Sequence, residues 1–163
     1  MGTRRTPRVA ARPVAGSVPS PSMADGACVF CSMAAGDTPA HRVLETPTVV
    51  AVLDHRPLFP GHTLVLPRDH VVVLRELPGG LRDDFFERVQ EVSAAVQDAM
   101  GAQGSFVAMN NIVSQSVPHL HVHVVPRTKG DGLRGFFWPR GRYASEEEAA
   151  SVARRIRALL TKQ

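Results

Sequence analysis

The sequence predicts an α+β fold with a mostly antiparallel sheet and two main helices. Three features predict it: short apolar segments of strand length, two longer segments with one-faced helical spacing, and brief Pro- and Gly-bearing connections between strands. "TVVAVLD" (48–54) and "HTLVLP" (62–67) read as strands, and "HRPLFPG" between them has the residues of a turn. "LRDDFFERVQEVSAAVQDAMG" carries Leu81, Phe85, Val89, Val92 and Val96 on one helix face. Asp83 and Asp84 are expected in its first turn, and Gly101 is expected to end it. "SFVAMN" (105–110) and "HLHVHVV" (119–125) supply two further strands. "SEEEAASVARRIRALL" opens on a capping box, Ser145 to Glu148, and runs an apolar stripe through Val152, Ile156, Leu159 and Leu160.

Composition sets the broad class. A chain of 163 residues with 44% hydrophobic and 21% charged content is long enough to bury one core. No apolar run approaches the ~18 residues that a membrane span needs. The formal charge of +4 is misleading, because Arg4, Arg5, Arg8 and Arg12 all lie in the first 22 residues, which contain no acid. Without them the charge is about 0, so the body is not basic and nucleic acid is not an expected partner. That segment, "MGTRRTPRVAARPVAGSVPSPS", has no amphipathic period and reads as a disordered tail, or as a start site placed too early ahead of Met23.

In "HLHVHVV" side chains of a strand alternate between faces. Leu120, Val122 and Val124 then meet the core, while His119, His121 and His123 share the other face. Three adjacent rings do not all protonate comfortably, so such a row favours an anion or a metal. Cys28 and Cys31 form "CVFC" and are the only cysteines. A redox pair, a disulfide and half of a zinc site are the competing readings. Zinc takes tetrahedral sulfur and nitrogen ligands, and His70 and His119 are candidate partners at spacings of 39 and 49 residues.

The motif "HLHVHVV", extended as "QSVPHLHVHVVPR" and preceded by "LDHRPLFPGHTLVLPRDH", resembles the signature of the histidine triad (HIT) superfamily. The resemblance covers roughly residues 26–127. It implies a HIT domain over 23–143, with 144–163 as a C-terminal helix packed on or extending it. It further implies a cytoplasmic homodimer that binds a purine nucleotide or nucleotide conjugate at the triad face. The implied activity is release or transfer of a nucleoside monophosphate through a nucleotidyl-histidine, of phosphoramidase or dinucleoside polyphosphate hydrolase type. The alternative is a nucleotide-binding module with incidental turnover.

Residue by residue, His121 matches the family's nucleophile, and His123 and His62 match positions that contact phosphate and handle protons. Ser116 and the amide of Val117 match donors beside the leaving group and the phosphoryl oxygens. Asp54 matches the acid that accepts from the ribose. Val29, Phe30, Leu53 and His55 match the base pocket, and Asn110 or Asn111 the amide near the phosphates. Cys28, Cys31, His70 and His119 match the zinc-bearing branch, in which the metal is structural. One departure is the loop "NNIVSQS", which has no glycine and carries Ser114 where glycine is common. His41 matches no motif and is expected as a surface ring. Phe136, Phe137 and Trp138 are expected to pack.

Overall fold

The computed structural model describes residues 28–133 and 142–160. The expected tail and the Phe136–Trp138 cluster lie outside the described residues. In chain order the elements are α1 (Val29–Ala35), β1 (Arg42–Glu45), β2 (Val49–Leu53), β3 (Thr63–Pro67), a 3₁₀ turn (Leu74–Glu76), α2 (Gly79–Met100), β4 (Gly104–Ala108), β5 (Val122–Arg127) and α3 (Glu146–Leu160). The strands form one sheet in the order β1-β2-β3-β5-β4, and every pairing is antiparallel.

The sheet is covered on both faces, which explains the near-continuous apolar runs of β2 and β3. Val49, Ala51, Val65, Val122 and Val124 pack with Phe85, Val89, Val92 and Val96 of α2. Val50, Val52, Leu64 and Leu66 point the other way and pack with Phe30 and Ala34 of α1. The α2 stripe is therefore the one its spacing predicts, with Leu81 packed at its edge. Gly101, at φ 59°, ends this helix in the left-handed conformation that glycine takes without strain. Asp83 and Asp84 sit later than expected, because α2 begins at Gly79 and its first turn holds no acid.

Two elements go beyond the predicted set. β1 is four residues with charged ends, too short to show a period. α1 is seven residues, and "CVFC" is its start rather than a free turn: Cys28 is the N-cap and Cys31 lies in the first turn. The histidine run also differs from a straight strand, since β5 begins only at Val122. Leu120 is tied to the segment after β3 by its N–H on the Val71 carbonyl at 2.6 Å, so His119 and His121 lead into the sheet instead of pairing within it. Pro126 is tolerated in β5 because the β3 register stops at Val124, leaving no β3 carbonyl to claim its missing N–H. Beyond the strand, the Asp131 carboxylate accepts from Arg127 and from the Thr128 and Leu133 amides, closing the turn after β5.

α3 opens as its capping box predicts, with the Glu148 N–H donating to Ser145 Oγ at 3.2 Å. The Glu148 carboxylate reaches back to the Ala144 N–H at 2.6 Å. No residue of α3 is buried, and Ile156, Leu159 and Leu160 are exposed. No helix among the described residues is long and apolar enough to cross a membrane.

Candidate active site and metal centre

On the α1 side of the sheet the histidines divide into two groups. His119 is fully buried and joins Cys28, Cys31 and His70, whose ligand atoms all lie within 4.8 Å of one another. The Nδ1 of His119 is 3.5 Å from both sulfurs, and the Nδ1 of His70 is 3.2 Å from the Cys31 sulfur. A tetrahedral zinc with bonds of about 2.3 Å to sulfur and 2.0–2.1 Å to nitrogen sets sulfur and nitrogen about 3.5 Å apart, so the four residues fit it. The second nitrogen of His119 agrees: Nε2–H donates to the Pro67 carbonyl at 2.9 Å, which leaves the lone pair on Nδ1, facing the sulfurs. Burial, then the neighbouring Cys28, push the Cys31 thiol up to about 11. A cation between the sulfurs would lift that penalty.

His121 and His123 form the second group with His62. The β3 and β5 register sets Leu64 opposite His123, which brings the turn before β3 to the triad. His62 Nε2 lies 3.0 Å from His123 Nδ1, and the ring centroids of His121 and His123 are 4.9 Å apart. The turn itself requires Gly61: it sits at φ 90°, and a Cβ there would fall 2.6 Å from Met100 Cγ at the end of α2. Burial, reinforced by His121 and His62, pushes His123 down to about 4, against an opposing pull from Asp54. Burial likewise lowers His62. His121 donates from Nδ1 to the His119 carbonyl at 2.7 Å.

A cavity of about 260 Å³ opens beside this group, lined by Phe30, Leu53, Asp54 and His55 of the predicted set. Phe30 joins cavity and triad, its ring meeting His121 edge-on at 5.0 Å. Val29, next to Phe30 on α1, is exposed and not among the lining residues. Met33 and His41 line the wall without having been predicted there; His41 is exposed, and its carbonyl is tied to the Leu53 N–H. Asp54 uses one oxygen to accept from the Arg56 amide at 2.8 Å, while the other lies 3.5 Å from His62 Nδ1.

The loop before the triad takes glycine-like conformations without glycine. Ser114 has φ 61° and Ile112 φ 68°, the latter costly for a β-branched residue, on the order of 1–3 kcal/mol. Gln115, which sequence reasoning passed over, braces it: its Oε1 accepts from the Ile112 N–H and its Nε2 donates to the Val72 carbonyl. The two asparagines also separate. Asn111 Oδ1 accepts from the Leu74 N–H at 2.7 Å, and Asn110 Nδ2 donates to the Ser114 carbonyl at 3.2 Å. Ser116 is exposed, and Val117 packs beside the Phe30 cluster.

Comparison with known proteins places this geometry among others. Residues 35–130 match the HIT domain. An adenosine 5'-monophosphoramidase of Schizosaccharomyces pombe is 33% identical over 122 residues, covering 74% of this chain and 89% of its own. An adenylylsulfatase of Arabidopsis thaliana is 32% identical over 108 residues, covering 65% of this chain and 55% of its own. The crystal structure of a Zn-bound histidine triad family protein from Mycobacterium smegmatis superposes with a TM-score of 0.63 at 34% identity, covering 83% of this chain and 96% of that one.

Proposed function

This chain belongs to the HIT family, and from that premise we propose that it is a nucleotide hydrolase or nucleotidyltransferase acting at the α-phosphate. One observation carries the reading. Because the Nδ1–H of His121 is committed to the His119 carbonyl, the lone pair of that ring is on Nε2, the form a nucleophile needs. Attack by Nε2 on the α-phosphorus forms a nucleotidyl-histidine as the bond to the leaving group breaks. Water, or another acceptor, then takes the nucleotidyl group and frees the ring. His123 and Ser116 supply hydrogen bonds where charge develops on the phosphoryl oxygens and leaving group. The cavity walled by Phe30 and Leu53 takes the purine, and the Asp54 carboxylate accepts from the ribose. Asn110 and Val117 stay candidates for phosphate contact, whereas the Asn111 oxygen is already engaged by Leu74.

Zinc held by Cys28, Cys31, His70 and His119 is structural in this reading, since four protein ligands leave no position for water. It clamps α1 to the segment before β5. The reading also includes a homodimer, supported by β4 as an edge strand with Val107 exposed. The test is steady-state turnover of an adenosine phosphoramidate, adenylyl sulfate and a dinucleoside polyphosphate by the wild type and His121→Ala. Turnover of at least one, lost in the variant while nucleotide still binds, supports the enzyme. Tight nucleotide binding with no turnover of any would make the chain a binding module instead.

A further inference from the structure

We propose that His62 is a positioning residue: the Leu58 amide fixes its ring as an Nε2–H donor, and that donor fixes His123 with its own proton on Nε2. The inference deepens the reading above, on which the substrate side of His123 depends.

A neutral imidazole has one N–H and one lone pair, so a fixed partner at one nitrogen decides the other. A backbone N–H can only donate. The Leu58 N–H lies 3.2 Å from His62 Nδ1, so Nδ1 accepts and the proton of His62 sits on Nε2. His62 Nε2 is 3.0 Å from His123 Nδ1, so that nitrogen accepts in turn. The remaining proton of His123 is then on Nε2, the nitrogen left for a ligand. The rival arrangement would place a proton on His62 Nδ1 for the Asp54 carboxylate. At 3.5 Å that contact is too long for a good hydrogen bond, and it would set Nδ1–H against the Leu58 N–H.

The first donor does not titrate and does not turn. His62 N–H donates to the Phe59 carbonyl at 3.0 Å and Asp54 N–H to the His62 carbonyl at 2.9 Å, closing the turn that holds Leu58 over the ring. The polarity of the chain is therefore set by backbone and runs one way, from Leu58 through His62 to His123. His123 is presented as a neutral N–H donor that binds developing negative charge and needs no proton loaded beforehand. His62 gives direction to that donor instead of shuttling a proton or touching the phosphate.

Two measurements test this. Long-range ¹H–¹⁵N spectra of the wild-type zinc protein should show His62 and His123 each protonated on Nε2; a proton on Nδ1 of His123 would overturn the proposal. This reading is independent of turnover, so it stands or falls apart from the enzyme assignment. The second measurement compares His62→Gln, which keeps a donor near the Nε2 position, with His62→Glu, which puts an acceptor there. The expected kcat of the Gln variant is about tenfold or more above that of the Glu variant, with KM less affected. If Gln is no better than Glu, titration of His62 is what matters and the positioning role is wrong.

Discussion

The Nδ1 of His121 lies 2.7 Å from the backbone carbonyl oxygen of His119, so one hydrogen bond joins two histidines of one motif whose rings face different neighbours. His119 turns its ring to the two sulfurs and its carbonyl to His121. The Cys28, Cys31, His70 and His119 cluster and the His121 ring are thus adjacent in chain and in space, joined through the His119 backbone.

Zinc content follows from that cluster. Gently purified protein should carry about one zinc per chain, and Cys28→Ser should lose it and melt at a lower temperature. Below the variant's melting temperature, kcat should fall less than about tenfold, because the metal takes no part in the chemistry. Elemental analysis showing no zinc in the wild type would count against the cluster as a metal site.

The cavity makes a prediction about binding alone. Ala40 lines it, so Ala40→Phe should fill space that the base needs. KM for a nucleotide substrate should rise by about tenfold or more while kcat changes little, since uniform binding is lost. An unchanged KM would show that the base lies elsewhere.

The pH dependence of stability has a definite sign. His123 is pushed down to about 4 by burial and by His121 and His62. Between the ordinary histidine value of ~6.5 and about 4, the unfolded chain therefore binds more protons than the folded one. The contribution is fully present above pH ~6.5 and is lost as pH falls towards 4. Melting curves of wild type and His123→Asn, taken from pH 7 to 4, should show the steeper decline in the wild type. Equal slopes would contradict the placement of a neutral buried ring.

Much of this was legible in the sequence. The α2 stripe, its stop at Gly101 and the capping box of α3 are local signals, and the folded chain keeps them. Alternation in the histidine run assigned Leu120, Val122 and Val124 to the core correctly. What alternation could not show was the bend before Val122, which depends on a tertiary bond from Leu120 to Val71. α1 and β1 are too short to carry a period, so the helix under Cys28 and Cys31 was invisible. Gln115 and His41 were missed for a related reason. A glutamine bracing a strained loop and a histidine brought to a cavity wall acquire their roles only when distant segments meet. The left-handed φ of Ser114 shows the opposite lesson: the conformation expected of a glycine survives where the side-chain network holds it.

The central claim is that a covalent bond forms at His121 Nε2. It is tested most directly by rapid-quench mass spectrometry on the wild type mixed with a substrate that it turns over. A transient adduct of one nucleoside monophosphate should appear on the peptide containing residues 119–125, and should be missing in His121→Ala. Full activity in His121→Ala, or inversion of configuration at phosphorus on a chiral phosphorothioate substrate, would contradict the claim, because two in-line displacements retain configuration.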